Sequence, residues 1–502
     1  MPESATDADL IGPSTQQIRH SALYLAPVLV GAVLPIISLP LLTRVVSKEE
    51  YGAWALAGVY ATFATAVAGL GLPVVYERNF FEQSTPRDRC ALLYSIVGFV
   101  SLASLLVGVA TWVERERLAA LFIGSPEHGW LVFWTFCASA VVGIKAYYLT
   151  YFRNAGDARA FVRYTIDENV AGVLLSLVLV IVMRVGVIGL ALGHLAASSF
   201  VLGLVVRRGF SFGPVSFRAG LICGALQTSY PLTPRIALKL IAGNVDKYIV
   251  GLLSSVGGVG VYAIGQRLAY AVFVFTTALE NVFAPQVYRR MFAEGRGGAD
   301  AVGTYLTPFL YASVGSALLL TAAARDGIAV LTPAGYRGAT PVVALLSMYY
   351  AALFFGKIPQ LMFARQTLLL SAHGVLSLAL NVACCLALTR MWGAPGAAAG
   401  TLVAGLASTA TYMMLGHRFY PIRWRYRSLI GMYGFLAAAV IVVLLEERLG
   451  ASRWSGLAVR AALVAGYGWL GVGLGVLSRD NLRLVLRSLS QRFGGRVQAV
   501  RS

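Results

Sequence analysis

Six charged side chains lie within two apolar segments of membrane-spanning length in the middle of this chain. A charge at the centre of a transmembrane helix costs roughly 2.5–3.5 kcal/mol on insertion scales, so such groups usually face a wet interior or a partner. Lys and Arg suit the binding of an anion, and Asp suits the carrying of a proton or sodium ion. The six are Arg235, Lys239, Asp246, Lys247, Arg267 and Glu280.

Three of these charges share a face if Pro231–Leu253 is one helix that advances 100° per residue. They are Arg235, Lys239 and Asp246. We interpret this face as a basic stripe that contacts an anionic group of a substrate, with Asp246 as its partner or as the carrier of a coupling ion. The alternative is that Arg235 and Lys247 snorkel to the two membrane surfaces.

Two lysines occupy matching places in the two halves of the chain. Lys145 lies in the fourth apolar segment, Trp130–Tyr151, and Lys357 lies at a similar depth in the tenth, Pro341–Ala364. Such a pair could bind an anionic group between the halves, and the alternative is that each lysine reaches the membrane surface independently. Arg267, in the eighth segment, is a further candidate for substrate binding.

Known catalytic and metal-binding patterns are absent from the sequence. There is no nucleophile elbow, zinc-protease motif or phosphate-binding loop, the five histidines share no ligand spacing, and the five cysteines form no CxxC pair. Glu280 is interpreted as a surface or gate group. We therefore expect a transporter and not an enzyme, with no metal and no cofactor.

The composition is that of a polytopic membrane protein. Of 502 residues, 58% are hydrophobic and 13% are charged, and the mean hydropathy is +0.72. We predict an all-α fold of about fourteen transmembrane helices. The fourteen candidate spans are Leu23–Leu42, Tyr51–Val75, Ala91–Trp112, Trp130–Tyr151, Val170–Met183, Val187–Val206, Pro231–Leu253, Gly257–Val282, Val302–Ala323, Pro341–Ala364, Thr367–Leu388, Ala394–Gly416, Ser428–Leu445 and Gly456–Leu477.

The net charge of +19 is explained by membrane topology and not by nucleic-acid binding, because most of the charges lie between apolar segments. The connections on the side of the two termini carry more than twice as many Lys and Arg residues as those on the other side. This asymmetry predicts that both termini are cytoplasmic. The outer connections are too short for the large outer domain of a membrane glycosyltransferase or polymerase.

A glycine pattern repeats along the chain. The glycines at 186, 189 and 193 recur at 393, 396 and 400, and Tyr51-Gly52 resembles Val259-Gly260. This predicts two six-helix lobes related by a pseudo-twofold axis along the membrane normal. The predicted parts are a cytoplasmic segment (1–20), an N-lobe (21–210), a C-lobe (211–420), a last pair of helices (421–478) and a basic cytoplasmic tail (479–502), which is interpreted as an amphipathic helix.

Several ordered motifs resemble those of one transporter family. Thr43-Arg44 followed by Tyr51-Gly52 resembles the junction of the first two helices of polysaccharide flippases, and Asn244-Val-Asp246-Lys247 resembles part of their seventh helix. Ala284-Pro285 and Pro395-Gly396 are similar to motifs in their later helices. The family is the Wzx-type oligosaccharide-lipid flippases of the multidrug/oligosaccharidyl-lipid/polysaccharide (MOP) exporter superfamily.

The resemblance implies flipping of undecaprenyl-diphosphate-linked oligosaccharide across the cytoplasmic (inner) membrane by alternating access around a central cavity. Polysaccharide assembly proteins and membrane lipids would be its further partners, and nucleic acid would not. The lipid II flippase branch has arginines in its first helix, whereas Ser21–Thr43 carries no charge. A multidrug antiporter on the same fold is the alternative, but acidic residues should then dominate the interior.

Overall fold

The computed structural model describes residues 15–210, 213–230, 233–449 and 453–476, and the regular secondary structure within them is entirely helical. Twelve stretches within them are long and apolar enough to cross a membrane. The all-α membrane fold that the sequence predicts is therefore confirmed. The predicted basic tail, 479–502, and the first part of the N-terminal segment lie outside the described residues.

The chain divides into two compact units, the first ending at Gly260 and the second beginning at Val261. The helices of the first are α1 (Thr15–Val45), α2 (Lys48–Gly69), α3 (Leu72–Glu82), α4 (Pro86–Val113), α5 (Arg115–Phe122), α6 (Gly129–Asn154), α7 (Ala158–Leu177), α8 (Ile188–Gly209), α9 (Ala219–Ser229), α10 (Thr233–Ala242) and α11 (Val245–Leu253). Those of the second are α12 (Val256–Glu294, which starts in the first unit), α13 (Ala299–Leu331), α14 (Ala339–Ala352), α15 (Gln360–Phe363), α16 (Thr367–Phe419), α17 (Tyr426–Leu449) and α18 (Arg453–Gly473).

The boundary between the two compact units lies after α11, at Gly260, whereas the predicted lobe boundary lies between residues 210 and 211. The difference arises because α9 packs against α3 and α4, and because α10 and α11 pack against α2. The lobe boundaries read from the repeat remain a prediction. In the first unit, α8 packs against both α6 and α7, and α7 packs against α1.

The predicted seventh span is not one helix. The structure places α10 and α11 in this stretch, separated by a turn at Gly243 and Asn244. Glycine is a weak helix former, and the Asn244 side-chain amide donates a hydrogen bond to the Leu240 carbonyl (3.1 Å) that the end of α10 leaves free. The helical-wheel argument that grouped Arg235, Lys239 and Asp246 on one face is therefore wrong, because it assumed a continuous helix.

The repeated glycine pattern coincides with two sharp reversals of the chain. Gly186, between α7 and α8, has φ 74°, and Gly393, within α16, has φ 60° and ψ −134°. Backbone with positive φ favours glycine, because the residue lacks a Cβ. At Gly393 the long helix α16 becomes two segments that fold back on each other, since Asn381 lies 3.3 Å from Thr401. The predicted break between the eleventh and twelfth spans is therefore present.

Gly52 and Gly260, the other repeated pair, pack directly on each other at the starts of α2 and α12. A Cβ on Gly52 would lie 1.9 Å from the Val256 carbonyl oxygen, and one on Gly260 would lie 2.1 Å from the Lys48 carbonyl oxygen. The contact is reciprocal, because a shift of 208 residues takes Lys48 to Val256 and Gly52 to Gly260. Two copies of one sequence motif therefore use the same small residue to bring their backbones together.

Candidate functional site

The lysine of the fourth span is buried in an ion pair of the first unit. Lys145 lies within α6 with 1% of its side chain exposed, and its ammonium contacts the carboxylate of Glu168 on α7. The Ser198 hydroxyl on α8 donates a hydrogen bond to the same carboxylate (2.8 Å). Three helices thus contribute a cation, an anion and a hydroxyl. The pairing spares the unit an isolated buried charge, which would be strongly destabilising.

The lysine of the tenth span has the same kinds of partner in the second unit. Lys357 Nζ lies 2.5 Å from a carboxylate oxygen of Glu280 and 2.9 Å from the Thr277 hydroxyl, both on α12. The ammonium also lies 4.8 Å from the centroid of the Phe273 ring, a distance typical of cation–π contact. This ion pair is less deeply buried, with 12% of the Lys357 side chain and 31% of the Glu280 side chain exposed.

Lys357 stands at a break in its span. The predicted helix Pro341–Ala364 ends as α14 at Ala352, and a short 3₁₀ turn, Phe355–Lys357, precedes α15. Pro359 follows two residues after Lys357, and proline lacks the backbone N–H needed to continue a helix. The similar depths of Lys145 and Lys357 were inferred from continuous helices, and the tenth span is not continuous, so the match in depth remains a prediction.

Side chains from other helices compensate the backbone groups that this break leaves free. The Tyr412 hydroxyl on α16 donates to the Ile358 carbonyl (2.7 Å), and the Tyr433 hydroxyl on α17 donates to the Ala351 carbonyl (3.1 Å). An unsatisfied backbone group costs several kcal/mol within a bilayer, so a break is tolerated only where such partners are present. Interrupted helices of this kind frequently border substrate or ion sites in transporters.

For the other site residues predicted from sequence, the structure gives the helix but fewer side-chain contacts. Arg235 and Lys239 lie on α10, but their side chains are outside the part that the structure describes. Asp246 is in the first turn of α11 with 4% exposure, so its carboxylate is buried. Arg267 is partly buried on α12, 13 residues before Glu280, which corresponds to about 20 Å along a helix. Arg267 is therefore not beside Lys357.

Sequence reasoning missed Glu168 and Ser198, and it did not connect Glu280 with Lys357. The predicted fifth span began at Val170, which left Glu168 in the preceding connection, whereas α7 begins at Ala158. A search for acidic residues in an extended fifth span would have found it. The Glu280–Lys357 contact joins residues 77 positions apart, so no local pattern indicates it.

A charged network connects the last two helices to α13. Arg460 on α18 has 1% of its side chain exposed and lies 3.1 Å from Asp326 and 3.3 Å from Glu446. Glu446, on α17, also accepts a hydrogen bond from Arg325 (3.0 Å). Arg325 was counted as part of an outer loop from the sequence, but it lies on α13. The network fixes α17 and α18 to the second unit.

A pair of tyrosines, Tyr311 on α13 and Tyr467 on α18, forms a second contact between these two helices. The Tyr311 hydroxyl donates to the Tyr467 carbonyl (3.0 Å), and the Tyr467 hydroxyl donates to the Tyr311 carbonyl (2.7 Å). Their rings stack with centroids 4.5 Å apart. Helices α17 and α18 are thus held against α13 by specific hydrogen bonds and ion pairs.

Comparison with known proteins agrees with this architecture. The family model described as "Polysaccharide biosynthesis protein" matches residues 18–289, which is more than half of the chain. No curated protein matches in a sequence search.

Solved structures share the fold at low sequence identity. The lipid II flippase MurJ in an inward closed conformation has a TM-score of 0.68 and 14% identity, over 93% of this chain and 100% of that one. A MATE transporter from Vibrio cholerae has a TM-score of 0.53 and 13% identity, over 80% and 96%. The MATE multidrug transporter DinF-BH has a TM-score of 0.52 and 14% identity, over 83% and 98%. At these identities the similarity establishes the fold alone.

Proposed function

We propose that this chain, which belongs to the polysaccharide biosynthesis protein family of Wzx-type flippases in the MOP superfamily, flips lipid-diphosphate-linked oligosaccharide across the cytoplasmic membrane by alternating access. The lipid is undecaprenyl diphosphate in this proposal, and the product serves surface polysaccharide synthesis. The family match over more than half of the chain is the observation that carries the proposal. Transport, and not catalysis, is the activity that follows from it.

The charged groups within the spans support an anionic substrate. Each of the lysines at 145 and 357 is held in the apolar interior by a carboxylate, so the cost of burying these cations is already compensated by the fold. Lys145, Arg235, Lys239, Arg267 and Lys357 are our candidates for contact with the diphosphate. Lys357 is the first among them, because it stands at an interrupted helix with part of its side chain exposed.

The proposal is tested by deletion of the gene followed by analysis of lipid-linked intermediates. We expect surface polysaccharide to disappear and lipid-linked oligosaccharide to accumulate on the cytoplasmic face. A deletion strain that keeps its polysaccharide, accumulates no precursor and becomes drug-sensitive would contradict the proposal and support a multidrug antiporter. The MATE-like fold makes that outcome the natural alternative.

Substitution of the two lysines tests the substrate contact. Lys145→Ala and Lys357→Ala should each impair export at normal protein levels, and Arg at either position should partly restore it. If both lysines act on one diphosphate, the double variant will be non-additive. Normal export by both alanine variants would exclude them from the substrate site. Lys48→Ala is the control, because Lys48 forms an exposed contact with Glu49 (3.9 Å).

A further inference from the structure

The ion pair of the second unit differs from that of the first in how readily it can open. The Glu280 side chain is 31% exposed and the Glu168 side chain 18%. In addition, Lys357 belongs to a short turn between α14 and α15, whereas Lys145 lies inside the continuous helix α6. Lys357 is therefore the more accessible of the two lysines, with 12% of its side chain exposed against 1% for Lys145.

The surroundings of the Lys357 ammonium already resemble an anion site. A lysine ammonium has three hydrogen-bond donors and no acceptor. The carboxylate of Glu280 and the hydroxyl of Thr277 occupy two of these directions, while the Phe273 ring lies to one side. A phosphate oxygen carries the same kind of charge and accepts the same hydrogen bonds as the carboxylate. It can thus replace Glu280 but cannot share the position, because two anions repel strongly where the dielectric is low.

We propose that Glu280 is an internal counter-ion of Lys357, which the diphosphate of the substrate displaces on binding and which returns to the lysine as the substrate leaves. The inference rests on the proposed function and assigns a positioning role to an acidic residue within it. In the empty protein, Glu280 prevents an uncompensated cation. In the loaded protein, its return competes with the substrate and promotes release. The contact breaks and forms once in each transport cycle.

Binding of undecaprenyl diphosphate to the purified full-length protein in nanodiscs tests this role. Glu280→Gln should bind this lipid roughly tenfold more tightly than the wild type, because the competing charge is removed. Glu280→Asp, which withdraws the carboxylate by one methylene, should have an intermediate affinity. Lys357→Met should bind more weakly, and Lys357→Met combined with Glu280→Gln should bind as weakly as Lys357→Met alone. The gain from Glu280→Gln requires the lysine.

Asp300→Asn is the matched control. It also removes one carboxylate from an ion pair of the second unit, but the Asp300–Arg423 pair is exposed at 60% and 79%. The affinity of Asp300→Asn for undecaprenyl diphosphate should equal that of the wild type. Export should be slower in Glu280→Gln despite the tighter binding, because the lipid is retained. A structural role for Glu280 would lower stability and binding together, so thermal melting is measured on every variant.

The outcomes separate the inference from the function on which it rests. Wild-type affinity for undecaprenyl diphosphate in both Glu280→Gln and Glu280→Asp would overturn the counter-ion role and leave the proposed function intact. Weaker binding in both variants would likewise overturn it. If the wild type binds undecaprenyl diphosphate no better than undecaprenol, the diphosphate is not recognised, and the proposed function fails together with the inference.

Discussion

Asp246 is the buried acidic side chain of the first unit that we propose for ion coupling, because it lies at the start of α11 beside the turn that interrupts the seventh span. Asp246→Asn should slow gradient-driven transport while the binding of undecaprenyl diphosphate persists. Loss of one coupled charge removes about 2.3 kcal/mol of driving force per 100 mV of membrane potential. Transport into vesicles is measured with the potential, pH gradient and sodium gradient varied separately. Wild-type rates under all three conditions would remove Asp246 from the mechanism.

Arg460 holds the charged network on α13, α17 and α18 together, so its removal should destabilise the second unit. Arg460→Ala removes one of the two cations beside Glu446 and the contact with Asp326, so the cost should lie at or below the roughly 3–5 kcal/mol typical of breaking a buried pair. The melting temperature of the purified protein measures this loss. The control is Arg423→Ala, whose exposed ion pair with Asp300 should contribute less than about 1 kcal/mol. Equal melting temperatures for the two variants would mean that Arg460 contributes no more to stability than an exposed ion pair does.

Lys145 is buried in the structure and Lys357 partly buried, but the carboxylates that pair with them are not evident from sequence. A charge in an apolar segment is visible in the sequence, whereas the residue that neutralises it is chosen by tertiary packing. From the sequence alone, Glu168 lay in the connection before the fifth span, and Glu280 was interpreted as a surface or gate group. Arg325, which contacts Glu446, likewise lay in the connection after the ninth span. Each is joined in the structure to a residue that is distant along the chain.

At the scale of helices, the contact between α2 and α12 depends on the absence of a side chain at Gly52. Gly52→Ala would place its Cβ 1.9 Å from the Val256 carbonyl oxygen, so the two backbones must separate. We expect a loss of about 1–3 kcal/mol, measured as a lower melting temperature.

Gly58→Ala is the control for this prediction. Gly58 lies on the same helix, a Cβ at this position would meet nothing within 4 Å, and alanine is the better helix former by about 1 kcal/mol. Gly58→Ala should therefore be neutral or stabilising. If Gly52→Ala melts no lower than Gly58→Ala, the close approach at Gly52 is not required for folding.

The positions of the apolar segments could be predicted from hydropathy, but their continuity could not. Hydropathy counts residue types over a window, and it does not report whether every backbone amide finds a partner within the same helix. The seventh and tenth spans are both interrupted. The tenth is stable because Tyr412 and Tyr433, which are more than 50 residues away, supply hydrogen bonds to its free carbonyls. The break at Gly393 was predictable, because a repeated glycine marked it.

The orientation of the whole molecule in the membrane remains a prediction from its charge distribution. We expect both termini in the cytoplasm, so the connection between α12 and α13 should be inside and the one between α13 and α14 outside. A reporter that is active only outside the cytoplasm is fused after Arg296 and after Thr332. It should be silent at the first position and active at the second. The reverse pattern would invert the proposed direction of substrate entry.

The reversal at Gly393 has a consequence for the synthesis of the protein. The two halves of α16 meet through a very short connection with a single charge, Arg390, since helix resumes directly after the single non-helical residue. The ribosome therefore delivers two adjoining apolar helices with no long polar loop for the translocation machinery to pass across the membrane separately. We expect the two halves to leave the insertion channel together as a preformed helical hairpin, with His373 hydrogen-bonded to the Ser408 carbonyl (2.9 Å) from the start. The two halves of α16 should then enter the membrane in one step and not one after the other.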